Sequence, residues 1–173
     1  MKARRIFGFL IVAFLLTGLS ALAQTAEDIK RYPNCKYCGM DREKFNYSRM
    51  LTVYSDGSEF GSCSLHCAAV DLAANIGKAP QAMKVADYNT KNLIDAEKAY
   101  WVMGGDKPGV MTRNGKWAFE KERDARAFIK ENHGKLAGFE DVMKAAYEDM
   151  YADLKIIREK RAKMQMMKRE SKP

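Results

Sequence analysis

Residues 50–77 read MLTVYSDGSEFGSCSLHCAAVDLAANIG, and this stretch contains the clearest structural signals in the chain. Two apolar-aromatic runs, Met50–Tyr54 and Glu59–Cys63, flank a turn sequence that contains Asp56-Gly57. An Asp-Gly pair between two such runs is typical of a β-hairpin. A helix is predicted over Ser64–Ile76, because apolar residues recur there at helical spacing and a glycine follows. The predicted packing face of this helix contains Leu65, Ala69, Leu72, Ala73 and Ile76.

The same plan is predicted to occur a second time. A strand or extended segment at Gln81–Tyr88 completes the first unit, and Ala99–Met103 begins the second. An Asn-Gly turn then predicts a second hairpin between Val110–Thr112 and Lys116–Phe119. A helix is predicted over Lys121–Asn132, with its apolar residues turned inward.

A long helix is predicted from Phe139, docked up to about Ile157, with an end that projects or frays. Its apolar stripe consists of Phe139, Val142, Met143, Ala146, Met150, Leu154 and Ile157. The predicted fold class is therefore α+β, with two similar strand-strand-helix-strand units and a long C-terminal helix. The first unit is assigned to residues 24–92 and the second to residues 93–138. Residues 139–173 form the helix and a basic tail that contains methionines.

The first 23 residues have the features of a secretory signal peptide. A basic start is followed by an apolar run at Ile6–Leu16 and by the small-x-small sequence Ala21-Leu22-Ala23. An uncleaved membrane anchor is the alternative, but the run is short for a spanning helix. No cysteine occurs at residues 18–25, so a lipoprotein is not expected. The predicted location is the periplasm.

The positive charge of the chain is concentrated near its end. The formal net charge is +8, of which three charges lie in the first 23 residues. Residues 158–173 contain seven basic and two acidic groups, so residues 24–157 are close to neutral. A neutral body argues against nucleic-acid binding. The basic tail, with Met164, Met166 and Met167, is interpreted as a solvated end, a copper-catching segment, or a contact to an anionic membrane surface or a partner.

All four cysteines lie in two groups, Cys35-Lys36-Tyr37-Cys38 and Cys63-Ser64-Leu65-His66-Cys67. On a helix Cys63, His66 and Cys67 share one face, and we expect this face to differ from the packing face. One hypothesis is structural, with two disulfides or a Zn²⁺ ion held by four thiolates. A second is a thiol-disulfide oxidoreductase, although such sites place a CxxC at the start of a helix and here a glycine and a polar loop follow.

A third hypothesis is a copper site. Thiolates and thioethers are soft ligands that select Cu(I), and Met40 supplies a thioether two residues after Cys38. The alternative is that Met40 only fills a gap in the core. His66 is a candidate ligand because it shares a helix face with two cysteines, although it could also be a buried structural imidazole. The sequence contains no Ser/His/Asp set, phosphate loop or nucleotide fingerprint, so an enzyme is not predicted.

An ordered series of motifs resembles the NosL family, accessory proteins of nitrous-oxide reductase, over roughly Tyr32–Val142. The matching segments are Cys38-Gly39-Met40, Phe60-Gly61-Ser62-Cys63, Ala99-Tyr100-Trp101-Val102, Gly109-Val110-Met111, Ala118-Phe119, Asp124-Ala125-Arg126-Ala127-Phe128 and Gly134. The resemblance implies a periplasmic Cu(I) metallochaperone built from two strand–helix units. It also implies a partner that receives copper, either a periplasmic enzyme or a copper transporter.

The resemblance selects particular ligands. Cys38, Met40 and Met111 are the positions that it favours, and Met103 is a weaker candidate for the role of Met111. The remaining candidate metal ligands are Cys35, Cys63, His66 and Cys67. Family members are commonly lipoproteins, and the second cysteine group and the basic tail are not part of the family motif. These differences leave the client enzyme open.

Overall fold

Two antiparallel sheets and four helices make up residues 27–170, the part of the chain that this computed structural model describes. The first sheet contains β1 (Met50–Tyr54), β2 (Glu59–Ser62), β3 (Pro80–Ala86) and β4 (Leu93–Asp95). The second contains β5 (Tyr100–Met103), β6 (Lys116–Phe119) and β7 (Lys135–Ala137). The helices are α1 (residues 27–31), α2 (Leu65–Ala74), α3 (Glu122–Asn132) and α4 (Phe139–Glu170). The predicted signal peptide lies outside the described residues.

The two sheets share one topology. The strand orders are β2-β1-β3-β4 and β6-β5-β7, so in each sheet the first strand lies between its hairpin partner and the strand that follows the helix. The predicted fold class, two similar strand-strand-helix-strand units followed by a long helix, is confirmed. β4 extends the first sheet by pairing with β3. The assigned unit boundaries stay predictions.

The predicted second hairpin is wrong. Val110–Thr112 form no strand, and β6 pairs instead with β5 across the long loop of residues 104–115. Met111 has a φ of 63°, which lies in the left-handed region and is incompatible with an extended strand. At Gly109 a Cβ atom would lie 2.7 Å from the carbonyl oxygen of Thr112. The loop therefore bends too tightly there to pair with a neighbouring strand.

The predicted end of α2 is also wrong, because the helix stops at Ala74 and Ile76 is 93% exposed. The side-chain amide of Asn75 donates a hydrogen bond of 2.8 Å to the carbonyl oxygen of Asp71. The backbone N–H of Asn75 also donates to this oxygen. Both bonds satisfy the free carbonyl of the last turn, so the helix ends before Ile76 reaches the core.

α4 packs on α2 and β5 along most of its predicted stripe. Val142 and Ala146 are buried in a first hydrophobic cluster, which also contains Met50, Met83 and Trp101. The stripe was predicted wrongly at Leu154, which is 42% exposed, whereas Asp153 is buried. Eleven residues make almost exactly three helical turns, so Asp153 returns to the face of Val142.

The two sheets meet beside a second hydrophobic cluster, which contains three of the cysteines together with Trp117, Phe119 and Phe128. A parallel bridge joins Asp87, after β3, to Ala118 in β6. The buried carboxylate of Asp87 accepts hydrogen bonds from the backbone N–H groups of Thr90 and Glu120. This junction holds the two units together next to the candidate site.

No helix in residues 27–170 combines the length and apolar character that a membrane crossing requires.

Candidate metal centre

Four thiols from distant parts of the chain converge on one point. The Sγ atoms of Cys35, Cys38, Cys63 and Cys67 all lie within 4.8 Å of one another. The distance is 3.3 Å between Cys38 and Cys63 and 3.8 Å between Cys63 and Cys67. Tetrahedral ligands with metal–sulfur bonds of about 2.3 Å would be about 3.8 Å apart. The cluster therefore has the size of a single-ion site, and its cysteines are free thiols.

A closed loop presents Cys35 and Cys38. The N–H of Cys35 donates to the carbonyl oxygen of Met40 at 2.9 Å, and the N–H of Gly39 donates to the carbonyl oxygen of Cys35 at 2.7 Å. Gly39 has a φ of 73°, which a glycine adopts without a steric penalty. No helix begins at Cys35 or Cys38. The loop thus turns both thiols to one side and differs from the helix start of a thioredoxin-like site.

β2 and α2 present the other two thiols. Cys63 directly follows β2, and its carbonyl oxygen accepts a hydrogen bond of 2.8 Å from Ser48 Oγ. Cys67 lies in the first turn of α2. As expected, the cysteines of this group lie on a different face from Leu65 and Ala69, but this face is buried as well. α2 is covered on two sides, because the second hydrophobic cluster packs against the cysteine face.

A buried carboxylate ties the cysteine loop to α2. Asp71 is 2% exposed and accepts a 3.0 Å hydrogen bond from the hydroxyl of Tyr37, which lies between Cys35 and Cys38. The hydroxyl of Tyr54 donates to the other oxygen of the same carboxylate. Burial, followed by the hydrogen bond to Asp71, raises the pKa of Tyr37 to about 12. Tyr37 therefore stays a neutral donor at physiological pH.

A second buried network, formed by ion pairs, stabilises the chain on both sides of the loop of Cys35 and Cys38. The side chains of Arg42 and Arg49 are fully buried, and both bind the carboxylate of Asp28, at 2.7 and 2.9 Å. Arg42 also donates to the carbonyl oxygens of Ser62 and Tyr32. Burial is the main cause that lowers the pKa of Arg42. The guanidinium of Arg42 joins the chain before the loop to the end of β2, next to Cys63.

The thiols of the cluster differ in the direction of their pKa shifts. The pKa of Cys35 is far below the usual thiol value, because the neighbouring thiols of Cys38, Cys63 and Cys67 stabilise its thiolate. The neighbouring thiolate of Cys35 is the main cause that raises the pKa of Cys63 and of Cys67, and burial raises both further. A metal cation that entered would displace the remaining protons, because it binds thiolates and not thiols.

Two methionines line one cavity beside this cluster. Met40 and Met111 both pack against the second hydrophobic cluster, and both face a cavity of about 130 Å³. The other walls are Phe45, Gly109, Val110, Thr112, Arg113, Asp153, Ile156 and Ile157. Met111 holds its left-handed backbone conformation within this wall. Such a conformation is uncommon for a residue with a side chain, and in the described residues it occurs also at Lys91 and His133.

His66 lies between the thiols and the cavity. The residue belongs to the same turn of α2 as Cys67, and its Nδ1 atom is 3.3 Å from Oδ2 of Asp153, which lines the cavity. Both side chains are buried, and neither of these two atoms has a well-directed hydrogen bond within the described residues. Burial lowers the pKa of His66, and the carboxylate of Asp153 partly offsets this effect. His66 is thus a neutral imidazole at pH 7.

Residues 26–147 match the family model of NosL, which is 122 of the 173 residues. The chain belongs to the NosL family. A solved structure of similar fold is described as the copper chaperone NosL from Shewanella denitrificans. It is 22% identical, the alignment covers 62% of this chain and 87% of that chain, and the TM-score is 0.50. No curated protein sequence gave a significant match.

Within this NosL protein the structure separates the candidate ligands into two groups. The four cysteines meet, His66 adjoins them, and Met40 and Met111 share the neighbouring cavity. Met103 instead packs in the first hydrophobic cluster, with Val142 and Trp101. The assignment of any of these residues as a ligand stays a prediction.

Three residues of the NosL site were not found from the sequence. Asp71 is the single acidic residue of the largely apolar α2, and this pattern was the available signal. Asp153 follows Asp149 by one helical turn, so no such pattern marked it. Arg42 is a fully buried cation in a polar loop. Nothing in its sequence neighbourhood distinguishes it from the exposed basic residues around it.

Proposed function

We propose that this NosL-family protein is a Cu(I) metallochaperone of the periplasm, which passes its ion to a secreted copper enzyme such as nitrous-oxide reductase. The observation that carries the proposal is the four-thiol cluster beside a cavity lined by two thioethers. Sulfur ligands of both kinds select Cu(I) over harder ions. A solved protein of similar fold is described as a copper chaperone, which supports the same conclusion.

The burial of the thiols suggests where the ion would enter and leave. Cys35, Cys63 and Cys67 are at most 1% exposed, whereas Cys38 is only partly buried. Met40 follows Cys38 by two residues and lines the open cavity with Met111. In this proposal Cys38, Met40 and Met111 form the exchangeable side of the site. The buried thiols form the retaining side.

Transfer would proceed by ligand exchange without catalysis. Cu(I) is stable with two or three soft ligands, so an incoming thiolate or imidazole of the client can bind before Met40 or Met111 dissociates. No bond other than metal–ligand bonds is made or broken. His66 would act from the thiol side, as a further ligand or as a neighbour that holds Asp153.

A structural Zn²⁺ site is the second candidate, favoured by the burial of three thiols and by the spacing of the four. Structural zinc sites are closed, four-coordinate and formed by cysteines. In that case the protein would be a stabilised interaction module. The thioethers are the discriminating feature, because zinc does not use them and Cu(I) does.

The test is metal binding by the reduced chain that begins at Gln24, in the absence of oxygen. Cu(I) affinity is measured by competition with a chromophoric chelator, in the original chain and in the Met40→Leu and Met111→Leu variants. Removing a supporting group of a metal site typically costs about ten-fold or more in affinity, so the loss of a ligand should cost at least that. Met103→Leu is the matched control, because Met103 lies in the other hydrophobic cluster.

An unchanged Cu(I) affinity in both cavity variants would rule out the thioether ligands. Zn²⁺ that resists removal while Cu(I) binds only weakly would support the structural module instead. Transfer is tested separately, by incubating the copper-loaded chain with metal-free nitrous-oxide reductase and measuring the appearance of its copper chromophore. Mass spectrometry of the protein from a periplasmic fraction tests secretion, with an N-terminus at Gln24 expected.

A further inference from the structure

The outward face of α4 exposes large side chains that nothing in the described part of the chain covers. Tyr147 is 44% exposed, Tyr151 is 72% exposed and Leu154 is 42% exposed. These residues are spaced i, i+4 and i+7, so they form one stripe along the helix. Met166, further along the same helix, is 61% exposed. The stripe extends about 10 Å from position 147 to position 154 at the rise of an α-helix.

Basic residues accompany this stripe. The Nζ atom of Lys155 lies 4.5 Å from the ring centre of Tyr151, and Arg158 is exposed one turn after Leu154. Glu148 lies near the stripe too, but Lys144 is 3.9 Å from it and offsets its charge. Residues 158–173 contain seven basic and two acidic groups, while residues 24–157 are close to neutral. The positive charge of the chain is therefore collected at one end of α4.

We propose that this face of α4 docks the protein on an anionic phospholipid bilayer. Tyrosine is favoured at the membrane interface, where its ring is apolar and its hydroxyl remains hydrated. Lysine and arginine bind anionic headgroups, while their aliphatic stems lie along apolar surface. α4 would lie on the bilayer, since no described helix is able to cross it.

This inference does not depend on the metal proposal, because no residue of the stripe lines the cavity or belongs to the thiol cluster. Vesicle binding is therefore measured with the metal-free chain from Gln24, which contains every described residue. Co-sedimentation is compared between phosphatidylcholine vesicles and vesicles with one quarter phosphatidylglycerol. Binding is expected only to the anionic vesicles, and it should weaken as salt is raised.

Two pairs of substitutions separate charge from apolar contact. The Lys155→Gln and Arg158→Gln pair should lower the partition coefficient about five-fold for each cation removed, as expected for about 1 kcal/mol per cation. The Tyr151→Ser and Leu154→Ser pair should also lower it, without changing its dependence on salt. Far-UV circular dichroism of each variant checks that α4 is retained.

Matched controls lie on other surfaces. Ile76→Ser removes an apolar side chain that is 93% exposed, and the Lys121→Gln and Lys130→Gln pair removes two exposed cations at α3. Neither control should alter vesicle binding. The proposal is overturned if anionic vesicles do not bind, or if the controls weaken binding as much as the α4 variants. Binding of an acidic protein through the α4 stripe, without any binding to vesicles, would also overturn the proposal.

Discussion

The hydroxyl of Tyr37 donates a 3.0 Å hydrogen bond to Oδ1 of Asp71, across 34 positions of sequence. This bond connects the loop of Cys35 and Cys38 to the helix of Cys67, because Tyr37 lies between the two loop cysteines. Tyr54 donates to the same carboxylate. The geometry of the four thiols therefore depends on a carboxylate that lies one helical turn after Cys67 and is not itself a candidate ligand.

Removing this carboxylate should cost more than removing one of its donors. Asp71→Ala would leave two tyrosine hydroxyls without their acceptor, and we expect a loss of about 2–3 kcal/mol in the free energy of unfolding. Tyr37→Phe should cost about 1 kcal/mol and should weaken metal binding, because the loop is released. Urea unfolding and metal competition are the measurements. Tyr100→Phe, at a more exposed position, is the control.

Asp28 should contribute strongly to stability, because its carboxylate binds two fully buried guanidinium groups. Asp28→Ala would leave the charges of Arg42 and Arg49 without this counter-ion, which typically costs about 3–5 kcal/mol. Thermal unfolding should show a large fall in Tm. A parallel variant, Glu148→Ala, removes an exposed surface partner of Lys144 and should leave Tm nearly unchanged. Equal effects of the two substitutions would contradict the role of the buried network.

Two glycines should respond in opposite ways to a methyl group. A Cβ atom at Gly61 would lie 2.6 Å from Cβ of Tyr32 and 2.7 Å from Nη1 of Arg42. We expect Gly61→Ala to lower the free energy of unfolding by about 1–3 kcal/mol, as overpacking does. A Cβ atom at Gly77 would meet nothing within 4 Å. Gly77→Ala should therefore be neutral or stabilise by up to about 1 kcal/mol.

Acid should destabilise the metal-free protein partly through His66. Burial lowers the pKa of His66 in the folded state from its ordinary value of 6.5. As the pH falls, His66 therefore becomes protonated in the unfolded chain at a higher pH than in the folded protein. The contribution of the neutral imidazole to the free energy of unfolding is complete above about pH 6.5 and is lost below it. One such group changes the free energy of unfolding by at most about 1.4 kcal/mol per pH unit.

Urea midpoints at pH 7.5 and pH 5.5 measure this effect. The fall between the two values should be smaller in His66→Asn than in the original chain. His133→Asn is the control, because His133 is exposed and pairs with Asp106 at the surface. If His66→Asn and the original chain lose the same stability between the two pH values, the burial of a neutral imidazole does not govern the acid response.

Local patterns predicted most of the regular structure. The Asp56-Gly57 turn specified the first hairpin, and helical spacing specified α3 and most of α4. These signals are short-range, because turn geometry and side-chain periodicity are properties of neighbouring residues. The loop that contains Met111 was missed for the opposite reason. Its bends are stabilised by contacts such as the hydrogen bond that the backbone N–H of Arg113 donates to Oδ1 of Asp153, which only the folded chain brings together.

The sequence by itself determined that sulfur ligands occur in two short groups, with Met40 next to one of them. Only the tertiary structure decided that all four thiols meet, because the loop of Cys35 and the helix of Cys67 are joined by packing and by the carboxylate of Asp71. It also decided that Met111 faces Met40 across a cavity, while Met103 points into another cluster. Distances between residues far apart in the chain depend on how whole elements pack, and no local pattern specifies that packing.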